Sequence, residues 1–201
     1  MRATKATMHD EAYFRFLQRQ TSALSVALGF RDEKTHRHSE RVAEQAVALG
    51  ARCGMAPREL AILRIAAAVH DIGKIGIPDN ILSKQERLTA ADWDSIRNHP
   101  VMGADILLAC DFEGARELAE IVRHHHEAMD GSGYPDGLRG EAIPLGARIV
   151  SIVDAYDAMD EARAYHQRRP HDEIMAILEQ ESGSRRDPDI LETFRQMVEA
   201  T

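Results

Sequence analysis

The side chains with the most chemistry to offer begin with a histidine–aspartate pair, His70-Asp71, followed by Gly73 and Lys74. The pair gives one nitrogen and one oxygen to a divalent cation, a donor mix suited to Zn, Fe or Mn. It ends an apolar run, Ala66 to Val69, that reads as the close of a buried helix. An ionised carboxylate in such a place is costly unless it is paired or bound to a cation. Lys74 adds positive charge where an anionic substrate could meet that cation. Alone, the dipeptide reads equally well as a helix cap. Other residues add to it: His38, His99, His125, His126 and Asp154. His38 shares one helical face with Val42, Ala46 and Leu49. A lone histidine there is more often a hydrogen-bonded core residue than a ligand. Adjacent residues on a helix point about 100° apart, so His125 and His126 reach one cation only near a helix end, which Asp130-Gly131-Ser132-Gly133 supplies. Asp154, among Ile152, Val153 and Ala155, needs a cation or strong donors. Seven donors exceed the four of a closed site and suffice for two cations sharing one carboxylate, with positions open to water and substrate.

These side chains need elements to position them. The chain has 201 residues, 44% hydrophobic and 29% charged, which suits one folded domain with a substantial core. Aromatic residues are only 5%, so Ala, Leu, Ile, Val and Met must fill that core. The pattern predicts helices from Glu11 to Gly29, from an N-cap at Thr35 to Cys53, and from Pro57 to the His70-Asp71 pair. Thr89 and Asp92 form a capping box, and His99-Pro100 breaks the helix that follows. Further helices are expected over 101–110, 113–124, 145–165, 171–180 and 188–200, the last capped by Asp187-Pro188. The Gly- and Pro-rich stretch 130–144 is the one long loop. No alternating strand pattern or repeat is visible, so the expectation is all-α, with a tail and helix over 1–30 and the main domain over 31–201. Cys53 and Cys110 lack metal-ligand spacing and read as free thiols. With no apolar leader and no apolar run of about 18 residues, no membrane partner and a cytoplasmic location are expected. A net charge of −8 argues against capture of long nucleic acid.

The order His38, His70-Asp71-Ile72-Gly73-Lys74 and Asp154 resembles the HD superfamily of metal-dependent phosphohydrolases. His99-Pro100, His125-His126-Glu127 and Asp130-Gly131-Ser132-Gly133-Tyr134-Pro135 narrow it to the HD-GYP family, a helical bundle with a long GYP loop. That resemblance implies hydrolysis of cyclic di-GMP to linear pGpG, sometimes on to GMP, by a hydroxide bridging two divalent ions, with iron or manganese favoured. It implies His38, His70, Asp71 and Asp154 at one metal, and Asp71, His99, His125 and His126 at the other. It further implies Lys74 against the scissile phosphate, Arg163 gripping substrate phosphate, Tyr134 shaping the cleft, and a diguanylate cyclase domain docking through the loop. Glu127 is expected either to orient a ligand histidine or to lie at the surface.

The sequence also departs from the family. Lys34 stands where some relatives carry a carboxylate for a third metal, so two are expected. After Asp154 the usual Thr-Ser-Asp-Arg-Pro-Tyr and basic residue become Asp160-Glu161-Ala162-Arg163-Ala164-Tyr165-His166. His166 is largely neutral at pH 7, with a reference pKa near 6.5, which weakens the phosphate grip. Three readings stand: a cyclic di-GMP phosphodiesterase, a hydrolase of another cyclic dinucleotide or nucleotide, and a weakly active cyclic di-GMP-binding adaptor.

Overall fold

A computed structural model describes residues 3–31, 33–160 and 169–200. They form ten α-helices and two short 3-10 turns. The helices are α1 (Ala3–Arg31), α2 (Glu33–Arg52), α3 (Pro57–Ala68), α4 (Asp79–Leu82), α5 (Ala90–Arg97), α6 (His99–Ala109), α7 (Ala115–His124), α8 (Leu145–Asp160), α9 (His171–Gln180) and α10 (Pro188–Glu199). Among the described residues there is no β-strand; one isolated bridge joins Ser182 to Arg186. None of the described helices is long and apolar enough to cross a membrane. The all-α expectation therefore holds.

Helices α2, α3, α7 and α8 surround the core, with α1 laid along α2 and α3. Val42, Ala46 and Leu49 of α2 meet Leu63, Ala66 and Ala67 of α3, Leu118 and Val122 of α7, and Ile149, Ile152 and Val153 of α8, all buried. The C-terminal pair α9 and α10 closes the bundle through Ile174, Leu178 and Phe194. Burial of about 25 cal/mol per Å² of apolar surface makes this contact the main source of stability.

Several helix ends follow local sequence. Thr89 Oγ1 accepts from the Asp92 amide, and the Asp92 carboxylate accepts from the Thr89 amide. Asp187 accepts from the amides of Asp189 and Ile190. Three expected helix boundaries need correction. Helix α1 runs past Gly29 to Arg31, and Thr35 lies inside α2 rather than capping it. Gly29 serves close approach instead of termination, since a Cβ there would meet the His36 ring at 3.1 Å. The helix capped by Thr89 does end before His99-Pro100, at Arg97, but the next helix begins two residues earlier than the expected 101. Helix α6 starts at His99 with Pro100 in its first turn, where the missing amide costs nothing.

Candidate metal centre

After α3 the chain makes a 3-10 turn, Ile72–Gly76, that presses against the start of α6. Gly73 permits this. A Cβ at Gly73 would collide with the His99 carbonyl and stand 2.6 Å from the Gly103 amide nitrogen. The close approach brings the His70-Asp71 pair beside His99, although 28 positions separate Asp71 from His99.

His70, His99 and His125 each sit just past a helix end. Their Nδ1 atoms donate to the carbonyls of Ala67, Ile96 and Val122 at 2.8, 2.7 and 2.6 Å. Those carbonyls belong to last turns, where helix oxygens lack an intrahelical partner. A carbonyl can only accept, so Nδ1 carries the proton and a neutral ring turns its Nε2 lone pair inward. His38 is held differently. Its Nδ1 lies 2.6 Å from Asp157 Oδ2 and its Nε2 2.8 Å from Asp154 Oδ1. Arg41 forms a two-pronged ion pair with Asp157, at 2.8 Å on both oxygens.

The donors gather into two groups. His38, His70 and Asp71 offer atoms within 4.8 Å of one another, as do His99, His125 and His126. Asp154 adjoins the first group, its Oδ1 3.6 Å from His70 Nε2. Asp71 lies between them, with Oδ2 3.5 Å from His70 Nε2 and Oδ1 3.3 Å from His99 Nε2. Both groups are predominantly buried. His70 Nε2 is buried with no hydrogen-bond partner. A group left so costs about 1–3 kcal/mol, and a cation between the two carboxylates and the imidazoles would satisfy it. The donor set fits divalent metal.

The electrostatics agree. Burial works against charge on Asp71, but Lys74, His70 and His99 outweigh it and hold the carboxyl far below its ordinary range. Burial likewise opposes charge on Asp154, and His38 and His70 overcome it. Burial alone would lower His38, yet hydrogen bonds with Asp154 and Asp157 raise it to about 9. His125 is pushed well below the usual value by burial and by the neighbouring imidazoles. His126 falls to about 4, chiefly through burial. The first group thus holds two ionised carboxylates whose charge draws protons onto His38 and His70. The second holds imidazoles kept neutral, so a cation can replace the protons of the first and accept the lone pairs of the second.

Lys74 Nζ lies 2.6 Å from Asp71 Oδ2, at the rim of the site. Tyr134 covers it, its ring centroid 4.9 Å from that of His126. Burial raises the Tyr134 pKa, so the phenol keeps its proton. Arg163 and His166 lie outside the described residues, as does the side chain of Lys34.

Glu127 does neither thing expected of it. It is buried, and its carboxylate accepts from the backbone amides of Asp136, Gly137 and Leu138 at 2.7, 3.0 and 3.1 Å. Asp136 in turn pairs with Arg123 and His124 on α7. Together they fold the loop over His126. Asp157 and Arg41 escaped the sequence reading. Their only signal was spacing, three residues after Asp154 and three after His38, which places each pair on one helix face.

Comparison with known proteins places this geometry in a lineage. The profile of the HD domain family matches residues 23–190. The cyclic di-GMP phosphodiesterase response regulator RpfG of Xanthomonas campestris is 40% identical over 172 residues, covering 85% of this chain and 46% of that protein. The 3'3'-cGAMP-specific phosphodiesterase 2 of Vibrio cholerae is 34% identical over 169 residues, covering 84% of this chain and 32% of that protein. This chain therefore spans less than half the length of either. Among solved structures, the HDG"Y"P protein Bd1817 of Bdellovibrio bacteriovorus superposes with a TM-score of 0.68 at 22% identity, over 94% of this chain and 62% of that one. With the His-Asp turn, the paired histidines and the GYP loop in place, the chain belongs to the HD domain family, in its HD-GYP branch.

Proposed function

We propose that this chain is a metal-dependent phosphodiesterase that opens cyclic di-GMP to linear pGpG, with His38, His70, Asp71 and Asp154 holding one divalent ion and Asp71, His99, His125 and His126 the other. The observation that carries this reading is the position of Asp71, with one oxygen toward each group of imidazoles. Two such ions, with iron or manganese the favoured pair, would supply an activated water and neutralise charge on a phosphodiester.

The chain's own side chains do the rest. Lys74, at the rim, is placed to meet a phosphate oxygen as negative charge grows there. Tyr134 closes one side and offers a protonated phenol as a donor. His70 and His125 are fully buried, so bulk water is kept from them, which strengthens each charge interaction inside. Arg163 is the proposed phosphate contact on the remaining side, and the outer face of the GYP loop is the proposed contact for a diguanylate cyclase domain.

A second reading is hydrolysis of a mixed cyclic dinucleotide, supported by the likeness to a relative named for 3'3'-cGAMP. Anaerobic purification with metal analysis, followed by product analysis on cyclic di-GMP and 3'3'-cGAMP, separates the two. Asp71→Ala should abolish turnover and lower metal content while circular dichroism stays helical. Turnover retained in Asp71→Ala defeats the shared-carboxylate assignment. A metal-loaded wild type that binds cyclic di-GMP without cleaving it is an adaptor instead.

A further inference from the structure

Beside His126 the surface opens into a cleft of about 280 Å³ whose outer wall carries Trp93, Arg97, Tyr134 and Arg185. The polar groups deeper in the cleft are already engaged. Glu127 is taken up by three loop amides. Arg186 is committed to Glu181 and to the Ser151 carbonyl and hydroxyl. The wall residues are available to a ligand. Trp93 is a large aromatic left 48% exposed. Arg97 lies over the Tyr134 ring, 5.8 Å from its centroid, and no carboxylate pairs with it among the described residues. Among the described residues the Arg185 side chain pairs only loosely, with Glu181 at 3.8 Å, and is more than half exposed. The turn that carries Arg185 is stitched to the start of the GYP loop: Asp130 donates to the Ser184 carbonyl at 2.8 Å and Met129 to that of Arg185 at 3.4 Å.

This wall runs against the average of the molecule. A chain of net charge −8 places two accessible guanidinium groups and an exposed indole beside its densest cluster of histidines. Guanidinium groups match phosphate oxygens in two-pronged geometry, and exposed aromatic rings stack on nucleobases. The cleft also falls just below the roughly 300–1,000 Å³ of a pocket for a whole ligand, which suits part of a larger one. A second cleft of about 540 Å³ shares Arg97 and Tyr134 with the first and is otherwise lined by residues such as Asp94, Asn98 and Met102. Arg97 and Tyr134 therefore form a ridge between two concavities, the shape a two-lobed ligand would straddle.

Resting on the phosphodiesterase reading, we infer that Trp93, Arg97 and Arg185 form a subsite for the nucleotide half remote from the cleaved bond. Trp93 stacks on its purine, and the two arginines take the second phosphate. This subsite also supplies anion grip in a chain where His166 stands in place of a basic residue.

Trp93 is the chain's one tryptophan, so its emission reads the subsite directly. In the metal-loaded full chain, mixing with cyclic di-GMP should change that emission saturably. Arg185→Glu and Arg97→Ala should each weaken the midpoint and raise KM by about tenfold, with kcat held within about threefold. Trp93→Phe should raise KM less than Trp93→Ala, since a smaller ring still stacks. Helical circular dichroism and unchanged metal content confirm that each variant is folded and loaded. Unchanged KM in both arginine variants, or turnover without any saturable emission change, overturns the subsite. Bis(p-nitrophenyl) phosphate, which has no second nucleotide, tells the two failures apart. If wild type cleaves neither this diester nor any cyclic dinucleotide, the phosphodiesterase reading fails and takes the subsite with it. If it cleaves them with KM insensitive to Arg97 and Arg185, the subsite alone fails.

Discussion

His38 has a carboxylate on each ring nitrogen, Asp157 at 2.6 Å and Asp154 at 2.8 Å. Burial opposes a proton on this ring, but the two carboxylates win and raise its pKa from 6.5 to about 9. The folded metal-free protein thus holds this proton more tightly than the unfolded chain does. Its contribution to stability is complete below pH 6.5 and is lost as pH climbs through 9. A metal held by His38 would compete with the proton for a ring nitrogen. Apparent metal affinity should therefore rise by up to about tenfold per pH unit across that interval. Chelator-competition titrations at three pH values check this, and a flat affinity contradicts it. Asp157 also orients the ring. Asp157→Asn should lower metal affinity by roughly 10–100-fold, the usual effect of losing a partner behind a ligand, and metal analysis after dialysis would read it. His38 could be picked from the sequence because it lies on an apolar helical face. Asp157 could not, because an aspartate three residues beyond Asp154 looks the same whether it faces water or an imidazole until α2 and α8 are packed together.

At the scale of elements, the GYP loop shows how little composition reveals about a loop's internal order. Glycines and prolines marked 130–144 as irregular, and they were right. The buried carboxylate that organises it, Glu127, sits before the loop and accepts from amides nine to eleven residues later. No periodic pattern encodes such a contact. Glu127→Ala should strand those amides, at about 1–3 kcal/mol for each buried group left unpaired. Hydrogen exchange at Asp136, Gly137 and Leu138 should accelerate, and on the proposed function KM for cyclic di-GMP should rise because Tyr134 is no longer held over His126. Unchanged exchange at these three amides would show that the loop is fixed from elsewhere. The capped starts of α5 and α10 were legible because Thr89-Asp92 and Asp187-Pro188 satisfy their own backbone. The α1–α2 junction was not. Gly29 and Thr35 carry signals that favour a boundary only weakly, and packing of His36 against Gly29 overrode them.

At the scale of the whole molecule, the donors come from α2, the turn after α3, the start of α6, the end of α7 and α8. Cations bound there would tie together most of the bundle. A ligand that binds only the folded state at about 100 times its Kd stabilises it by about 2.7 kcal/mol. For a chain of this size that corresponds to a Tm higher by roughly 5–10 °C. Differential scanning calorimetry with and without a chelator should show that drop, restored by manganese. An unchanged Tm would mean that the donors bind no metal tightly. The fold class and the donor list were legible because both rest on residue type and period. The cleft wall was not, since Trp93, Arg97 and Arg185 come from two distant segments that look like ordinary surface. One feature separates these two inheritances. His70, His99 and His125 are each aimed by a carbonyl three residues upstream in the same stretch of chain. Their aim is thus a local matter, indifferent to what lies across the groove. If the proposed activity and subsite hold, mutational drift along the wall would retune which nucleotide is accepted while the reactive core goes on unaltered, and a lineage built on this scaffold would be free to change its diet without relearning how to cut.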